Sequence, residues 1–384
     1  MIRCMKTKFC LVVSSPMTVV AFLRDQLREI ATQYELSVVA NSTRSTFLDE
    51  FEIAAHFKHV PIERKIRPWE DLQALFSLFL YFRNERFQIV HSVTPKAGLL
   101  SMSAAFFAGI PIRVHTFTGQ VWATKSGVYR FALRLMDKMI AHFATHVIVD
   151  SFSQQKFLIE NGVVATKKST VLGHGSISGV NLLRFHPNPT ARHALREKNG
   201  ISAEDLVFLY VGRLNRDKGF PELLRAFEEV TESLANIWLL IVGPDEESME
   251  LLIETSPARH RMVRVGYTDT PELYMAAGDI FVLPSHREGF GSTIIEAAAV
   301  GLPAIASRIY GLTDAVVDGQ TGILHASGNA KELSMAMTRL ASDPTERLHM
   351  GNAARMRVQT QFSMAIVTAN TLGFYQTISS DIQK

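Results

Sequence analysis

The sequence predicts an α/β protein of two domains, each a doubly wound parallel sheet, and three observations carry that prediction. Short apolar runs alternate with helix-period stretches along most of the 384 residues, the pattern of parallel strands joined by crossover helices. The length suffices for two cores of ordinary size. Several runs in the second half lead directly into glycine-bearing loops and then helices, as strands do where an open sheet binds ligand.

In chain order, the first half offers strands at 9–13, 36–40, 57–61, 88–91, 113–117, 147–149 and 170–172, with helical stretches between most of them, including 69–87 and 124–143. The second half repeats the scheme with strands near Phe208, Leu239, Val263, Val282, Ala304 and Ile323. Its helices are expected over 221–230, 293–300, 330–340 and 344–358. The join is expected near Phe185-His-Pro-Asn-Pro189, where two prolines interrupt regular structure. That gives domains of 1–187 and 188–361, followed by a helical tail, 362–384. No repeat shorter than a domain and no low-complexity segment is present.

Apolar content of 47% with 20% charged residues excludes a disordered chain. Cys4 and Cys10 are the only cysteines, which excludes a disulfide framework and a cysteine-rich metal site and fits a reducing cytoplasm. The apolar run 9–13 is too short for a signal peptide or a membrane span. Residues 1–190 hold 22 Lys and Arg against 13 Asp and Glu, whereas the remainder holds 18 against 24. A basic first half points to an anionic partner. A membrane surface fits better than nucleic acid, because no recognition motif or dense basic-aromatic stretch appears.

The chemistry concentrates in residues 288–301, EGFGSTIIEAAAVG. Glu288 and Glu296 stand eight positions apart across a glycine-rich turn that becomes a helix, with Ser292 as the expected N-cap. Helix N–H groups and the helix dipole favour an anion such as a diphosphate, and Gly289 and Gly291 let the backbone approach it. Glu296, about one turn into the helix, is placed to hold a ribose diol. Both carboxylates read equally well, in isolation, as solvated helix-end acids. Upstream, the apolar run 206–212 ends in Arg213-Leu-Asn-Arg-Asp-Lys218-Gly219, so two cations leave one strand end together and suit a diphosphate leaving group.

At these residues the chain resembles the retaining glycosyltransferases of family 4, which have the GT-B fold of two Rossmann-like domains. Four blocks carry the resemblance in order: VGRLNRDKG (211–219), IVGPDEE (241–247), AAGDIFVLPSHREGFGSTIIEAAAVGLPAIAS (276–307) and GLTDAVVDGQTGIL (311–324). It implies that Arg213 and Lys218 contact the donor diphosphate, Glu288 the donor sugar and Glu296 the ribose. Phe290, Gly291, Ser292 and, beside them, Gly289 and Thr293 would line the donor, with the base near Gly266 and Tyr267. The first domain would then hold the acceptor, the second the donor, with a cleft between them that closes on substrate, and the tail would cross back onto the first domain. His115 matches the family histidine after a first-domain strand and would hydrogen-bond the donor sugar.

Two first-half loops, both expected at strand ends, suit the acceptor: His91-Ser-Val-Thr-Pro-Lys96 and His115-Thr-Phe-Thr-Gly-Gln120-Val-Trp122. Lys96, Thr118, Gly119 and Gln120 are weaker acceptor candidates, and Trp122 reads as core or as membrane-facing. The loop Ser14-Ser-Pro-Met-Thr18 lacks the glycines of many relatives, leaving hydroxyls in their place. No Asp-x-Asp appears, and His142 and His146 lack the glutamate of a zinc helix, so no metal and no cofactor are expected. Arg64, Lys65 and Arg67 precede an apolar stretch, and Arg130, Arg134 and Lys138 recur every four residues beside Tyr129, Phe131 and Leu135, a pattern of interfacial helices or of a packed amphipathic helix.

The expectation is therefore a metal-independent, retaining transferase. It would move a hexose or N-acetylated hexosamine from a UDP-sugar to a glycan acceptor, a polyprenyl-diphosphate-linked sugar of bacterial surface polysaccharide, at the inner face of the cell membrane. A sugar-nucleotide epimerase or hydrolase of the same architecture, or a noncatalytic nucleotide-binding subunit, is the alternative.

Overall fold

The computed structural model describes residues 6–44, 46–63 and 67–380. Cys4, Arg64, Lys65 and the last four tail residues lie outside them. Among the described residues thirteen strands, all parallel, form two sheets. β1 (Lys8–Val12), β2 (Glu35–Ala40), β3 (His56–His59), β4 (Ile89–Val93), β5 (Ile112–Phe117), β6 (His146–Val149) and β7 (Ser169–Thr170) are arranged in the order β3-β2-β1-β4-β5-β6-β7. β8 (Leu206–Val211), β9 (Ile237–Val242), β10 (Met262–Val265), β11 (Ile280–Leu283), β12 (Ala304–Ser307) and β13 (Gly322–His325) follow the order β10-β9-β8-β11-β12-β13. Each sheet therefore reverses direction once, between β1 and β4 in the first and between β8 and β11 in the second. At such a reversal the crossovers diverge to opposite faces and leave a crevice outside the strand ends.

The chain divides into two units, Met1–Gly179 with Met364–Lys384, and Val180–Ser363. The first crossing thus comes at Gly179, before the expected join near Pro187. Val180 already belongs to the second unit, where it bridges Ser363 and donates its N–H to the Phe362 carbonyl at 2.8 Å. Phe185 is buried in that unit's core. The two prolines do not mark a linker. Pro189 is the first residue of the helix Pro189–Lys198, capped by Asn188, whose Oδ1 accepts from Ala191 N–H at 3.0 Å; proline suits this position because its missing N–H would have had no partner.

Strand positions agree with the sequence pattern within a few residues, because near-continuous apolar runs are what a sheet covered on both faces requires. β7 is shorter than expected and His146 opens β6 rather than sharing a helix with His142. In the first unit one sheet face packs Val12, Val90, Phe117 and Val147 under the helices Pro68–Glu85, Pro95–Phe107 and Gly127–Phe143, which lie side by side. The other face packs Phe9, Leu11, Val38 and Val114 with Tyr375 and Ile378 of the tail helix Met364–Ser380. Tyr375 Oη bonds His91 Nδ1 at 2.6 Å, and His91 Nε2 bonds Thr116 Oγ1 at 2.8 Å, so the polar groups carried into this core satisfy one another.

The second unit has a single continuous core. Its buried charge is also compensated. Asp279, just before β11, takes Arg192 and Arg196 at 2.6 Å each and the Val207 N–H at 2.7 Å. Arg196 is the buried member at 3% exposed, and removing Asp279 would leave its charge uncompensated, a loss of roughly 3–5 kcal/mol.

Candidate functional site

The second unit's crevice is built by the loops that follow β8 and β11, the two strands at the reversal. Beyond β8 the chain makes a tight turn, Arg216–Lys218, capped by Asn215, and leaves it through Gly219 at φ +68°. A Cβ at Gly219 would lie 1.9 Å from the Pro284 carbonyl oxygen, so only glycine lets the β8 loop close against the end of β11. His286 N–H bonds the Asp217 carbonyl at 2.9 Å and Arg287 pairs with Asp217 at 3.1 Å. These contacts lock the two loops together over a gap of some seventy residues in sequence.

The lock brings Lys218 Nζ onto Glu288 Oε1 in an ion pair, and Ser285 Oγ donates to the same oxygen at 2.9 Å. Arg213 turns instead to Glu246, beyond β9, at 2.7 Å. Each cation has a carboxylate partner, because two cations and two acids converge where three strand ends meet. Glu246, Asn215 and Ser285 were not identified from sequence; the IVGPDEE block contains the first of them, but nothing local says which of its three acids turns inward.

The helix Ser292–Val300 starts four residues after Glu288, beyond Gly289-Phe290-Gly291. Ser292, expected as its N-cap, is the first helical residue. The cap is Gly291, at φ +83°, with no side-chain hydrogen bond, and a Cβ there would meet Leu312 Cδ2 at 2.5 Å. Gly291 thus offers the first turn no side-chain acceptor, Ile294 N–H bonds the Gly291 carbonyl at 2.9 Å, and the helix start carries a partial positive charge. Phe290 turns its ring into the core against Phe362 at 5.2 Å, so Gly289 and Phe290 offer only backbone on the ligand side, while Ser292 and Thr293 are half-buried.

Glu296 is half-buried one turn into the helix. Burial pushes its carboxyl up to about 7, with Arg184 opposing and Glu272 reinforcing the shift. Arg184 is fixed by Glu272 Oε2 at 2.8 Å and the Asp269 carbonyl at 2.5 Å. Gly266 and Tyr267 follow β10. Tyr267 is exposed, and its hydroxyl donates to Asp269 at 2.6 Å, which raises its pKa. Gly266 has open space where a side chain would be.

The first unit's candidates are placed differently. His115 and His91 do not open loops; they sit inside β5 and β4. His115 is fully buried, its Nδ1 bonded to Ser92 at 2.8 Å and its ring against Phe117. Burial depresses its pKa to about 3, so it is neutral and presents no surface to a ligand. The strand continues two residues past His115, as the run 113–117 expects, and Thr118 is the first to leave it. Lys96 pairs with Asp71 at 2.6 Å, and Ser14 Oγ meets Thr94 Oγ1 at 3.1 Å. Gln120 is buried beside Gln154. Trp122 is core, stacked on Phe157 and donating to Asp137 at 2.7 Å.

Two parallel-sheet units, one bearing paired cations and carboxylates at an uncapped helix start, define a glycosyltransferase of the GT-B fold. Comparison with known proteins agrees. Residues 18–172 match the family described as Glycosyl transferase 4-like domain, and residues 191–357 match Glycosyl transferases group 1. The chain is 34% identical over 325 residues to the capsular polysaccharide biosynthesis glycosyltransferase CapM of Staphylococcus aureus, covering 83% of this chain and 84% of that one. It is 27% identical over 342 residues to the UDP-Gal:alpha-D-GlcNAc-diphosphoundecaprenol alpha-1,3-galactosyltransferase of Escherichia coli, covering 86% of each. In fold it is similar to Anabaena HepE solved with UDP-glucose, with a TM-score of 0.80 at 20% identity over 97% of this chain and 99% of that one. The chain belongs to glycosyltransferase family 4.

Proposed function

We propose that this glycosyltransferase takes a UDP-sugar as donor and a lipid-diphosphate-linked glycan as acceptor, in the assembly of a bacterial surface polysaccharide. The observation that carries the donor half is the lock between the β8 and β11 loops, which sets Lys218 and Glu288 together at the start of an uncapped helix. In this reading the diphosphate takes Lys218, Arg213 and the N–H groups of Ser292 and Thr293, displacing Glu288 from Lys218 while Glu246 keeps its hold on Arg213 Nη1. Glu288, released from Lys218, then turns to the sugar hydroxyls. Glu296 holds the ribose diol and the base lies against Gly266 and Tyr267. Stabilising the departing UDP by fixed positive charge lowers the barrier without a metal, and attack by the acceptor on the face the UDP leaves retains configuration.

The acceptor half rests on the first unit's helical layer and on the E. coli relative, whose name specifies a diphosphoundecaprenol-linked acceptor. Trp69, Leu72, Phe76 and Leu80 form an exposed apolar stripe on one helix, and Val128, Phe131, Leu135 and Met139 form another beside the basic Arg130, Arg134 and Lys138. Among the described residues no helix is long and apolar enough to cross a membrane. Exposed apolar stripes flanked by lysine and arginine suit peripheral attachment to an anionic bilayer, where such an acceptor resides.

The test is a screen of UDP- and GDP-sugars with purified protein and a lipid-linked acceptor extract, with and without EDTA. Acceptor-dependent release of UDP, unaffected by EDTA, with the donor's anomeric configuration kept in the product, is the expected result. Equal release without acceptor would indicate a hydrolase and overturn the proposal.

A further inference from the structure

We infer that Asn215 is a positioning residue that sets both cations of the donor site at once. The inference rests on the proposed role of Arg213 and Lys218 as diphosphate ligands. Asn215 is 5% exposed and stands between the two. Its Oδ1 accepts the Lys218 N–H at 3.0 Å, which closes the turn Arg216–Lys218 and fixes the point from which the lysine side chain departs. Its Nδ2 donates at 3.0 Å to Glu246 Oε2, the same oxygen that receives Arg213 Nη1 at 2.7 Å.

The backbone around this amide is already tied down. Leu214 N–H bonds the Pro244 carbonyl at 2.8 Å, and Glu246 N–H bonds the Leu214 carbonyl at 3.1 Å. What those bonds leave open is the direction of the charged side chains, and the amide supplies it in both directions. The requirement is specific. An acceptor must face the turn and a donor must face the carboxylate, from a stem short enough to reach both. Serine caps a turn but has no second group to reach Glu246. Aspartate caps equally well but turns an oxygen on an oxygen.

One side chain therefore links the two cations, and its loss should affect phosphate recognition more than nucleoside recognition. Calorimetric titration with UDP and with UMP separates them, since only UDP carries the second phosphate. Asn215→Ala should reduce the preference for UDP over UMP about tenfold, the worth of one charge-assisted hydrogen bond, while UMP affinity stays within about twofold. Asn215→Asp keeps the cap and nearly the same shape, so it carries the test if the alanine variant folds poorly; its carboxylate facing Glu246 should reduce the preference as well. Lys218→Ala is the control. If that control loses the preference while both Asn215 variants keep it, or if the Asn215 variants weaken UDP and UMP equally, Asn215 does not position the cations. If the wild type has no preference, or Lys218→Ala retains it, the diphosphate reading fails and this inference with it.

Discussion

The carboxyl ends of the two sheets have the same topology and opposite character. At the second sheet's reversal the loops carry paired charges that remain partly open to solvent, Lys218 with Glu288 and Arg213 with Glu246. At the first sheet the polar groups have withdrawn into the packing. His115 and His91 are buried and neutral, and the ionised groups have moved outward to the helices, where Arg130, Arg134 and Lys138 flank exposed apolar residues. A nucleoside diphosphate is small, rigid and densely charged, and a few fixed cations recognise it. A lipid-borne acceptor is large and spread over a surface, and a broad basic and apolar face suits it better.

This contrast can be broken at several points. The largest effect is expected at Lys218. Lys218→Ala should lower turnover by about two to three orders of magnitude, the usual scale for deleting one preorganised group that stabilises transition-state charge; near-wild-type turnover would remove this lysine from the leaving-group site.

A smaller effect is expected from pH. Glu296 titrates near 7 in the unliganded protein, and a ribose diol is held by its ionised form. UDP affinity should therefore rise with pH from 6 to 8, as Glu296 ionises. Folding stability runs the other way. A carboxyl whose folded pKa is raised above its unfolded value contributes its stability at acidic pH and loses it as pH climbs through about 7. The thermal shift produced by UDP should accordingly grow with pH, and Glu296→Gln should flatten that dependence. A slope unchanged by the substitution would assign the titration to another group.

The smallest effect concerns the first unit alone. Phe131→Ser with Arg134→Ser should weaken binding to vesicles containing anionic lipid, most clearly at low salt where surface charge is least screened. UDP binding should be unaffected, and undiminished vesicle binding would move the membrane face elsewhere.

The same contrast explains what could be read from the sequence. Strand positions and the two sheets were legible because fully covered parallel strands leave uninterrupted apolar runs, whereas the order of strands within each sheet was not. Arg213, Lys218, Glu288 and Glu296 were legible because each pair lies within one strand-loop-helix segment. Their partnerships were not, since Lys218 meets Glu288 across seventy residues and Arg213 meets Glu246 across thirty-three. Asn215 and Ser285 resemble ordinary loop residues until the loops are brought together. His115 falls inside the strand expected over 113–117, and its burial against Ser92 of β4 and Phe117 depends on packing that no local signal gives. The division between the units falls at Gly179 and not at the prolines near 185–189, because an N-cap residue before proline is equally a helix start.

The most direct test of the division between the two units is hydrogen–deuterium exchange with and without saturating UDP. The account predicts slowed exchange at residues 213–219 and 289–296, with the helices Pro68–Glu85 and Gly127–Phe143 unchanged. Protection confined to the first unit, with the β8 and β11 loops exchanging as before, would contradict it.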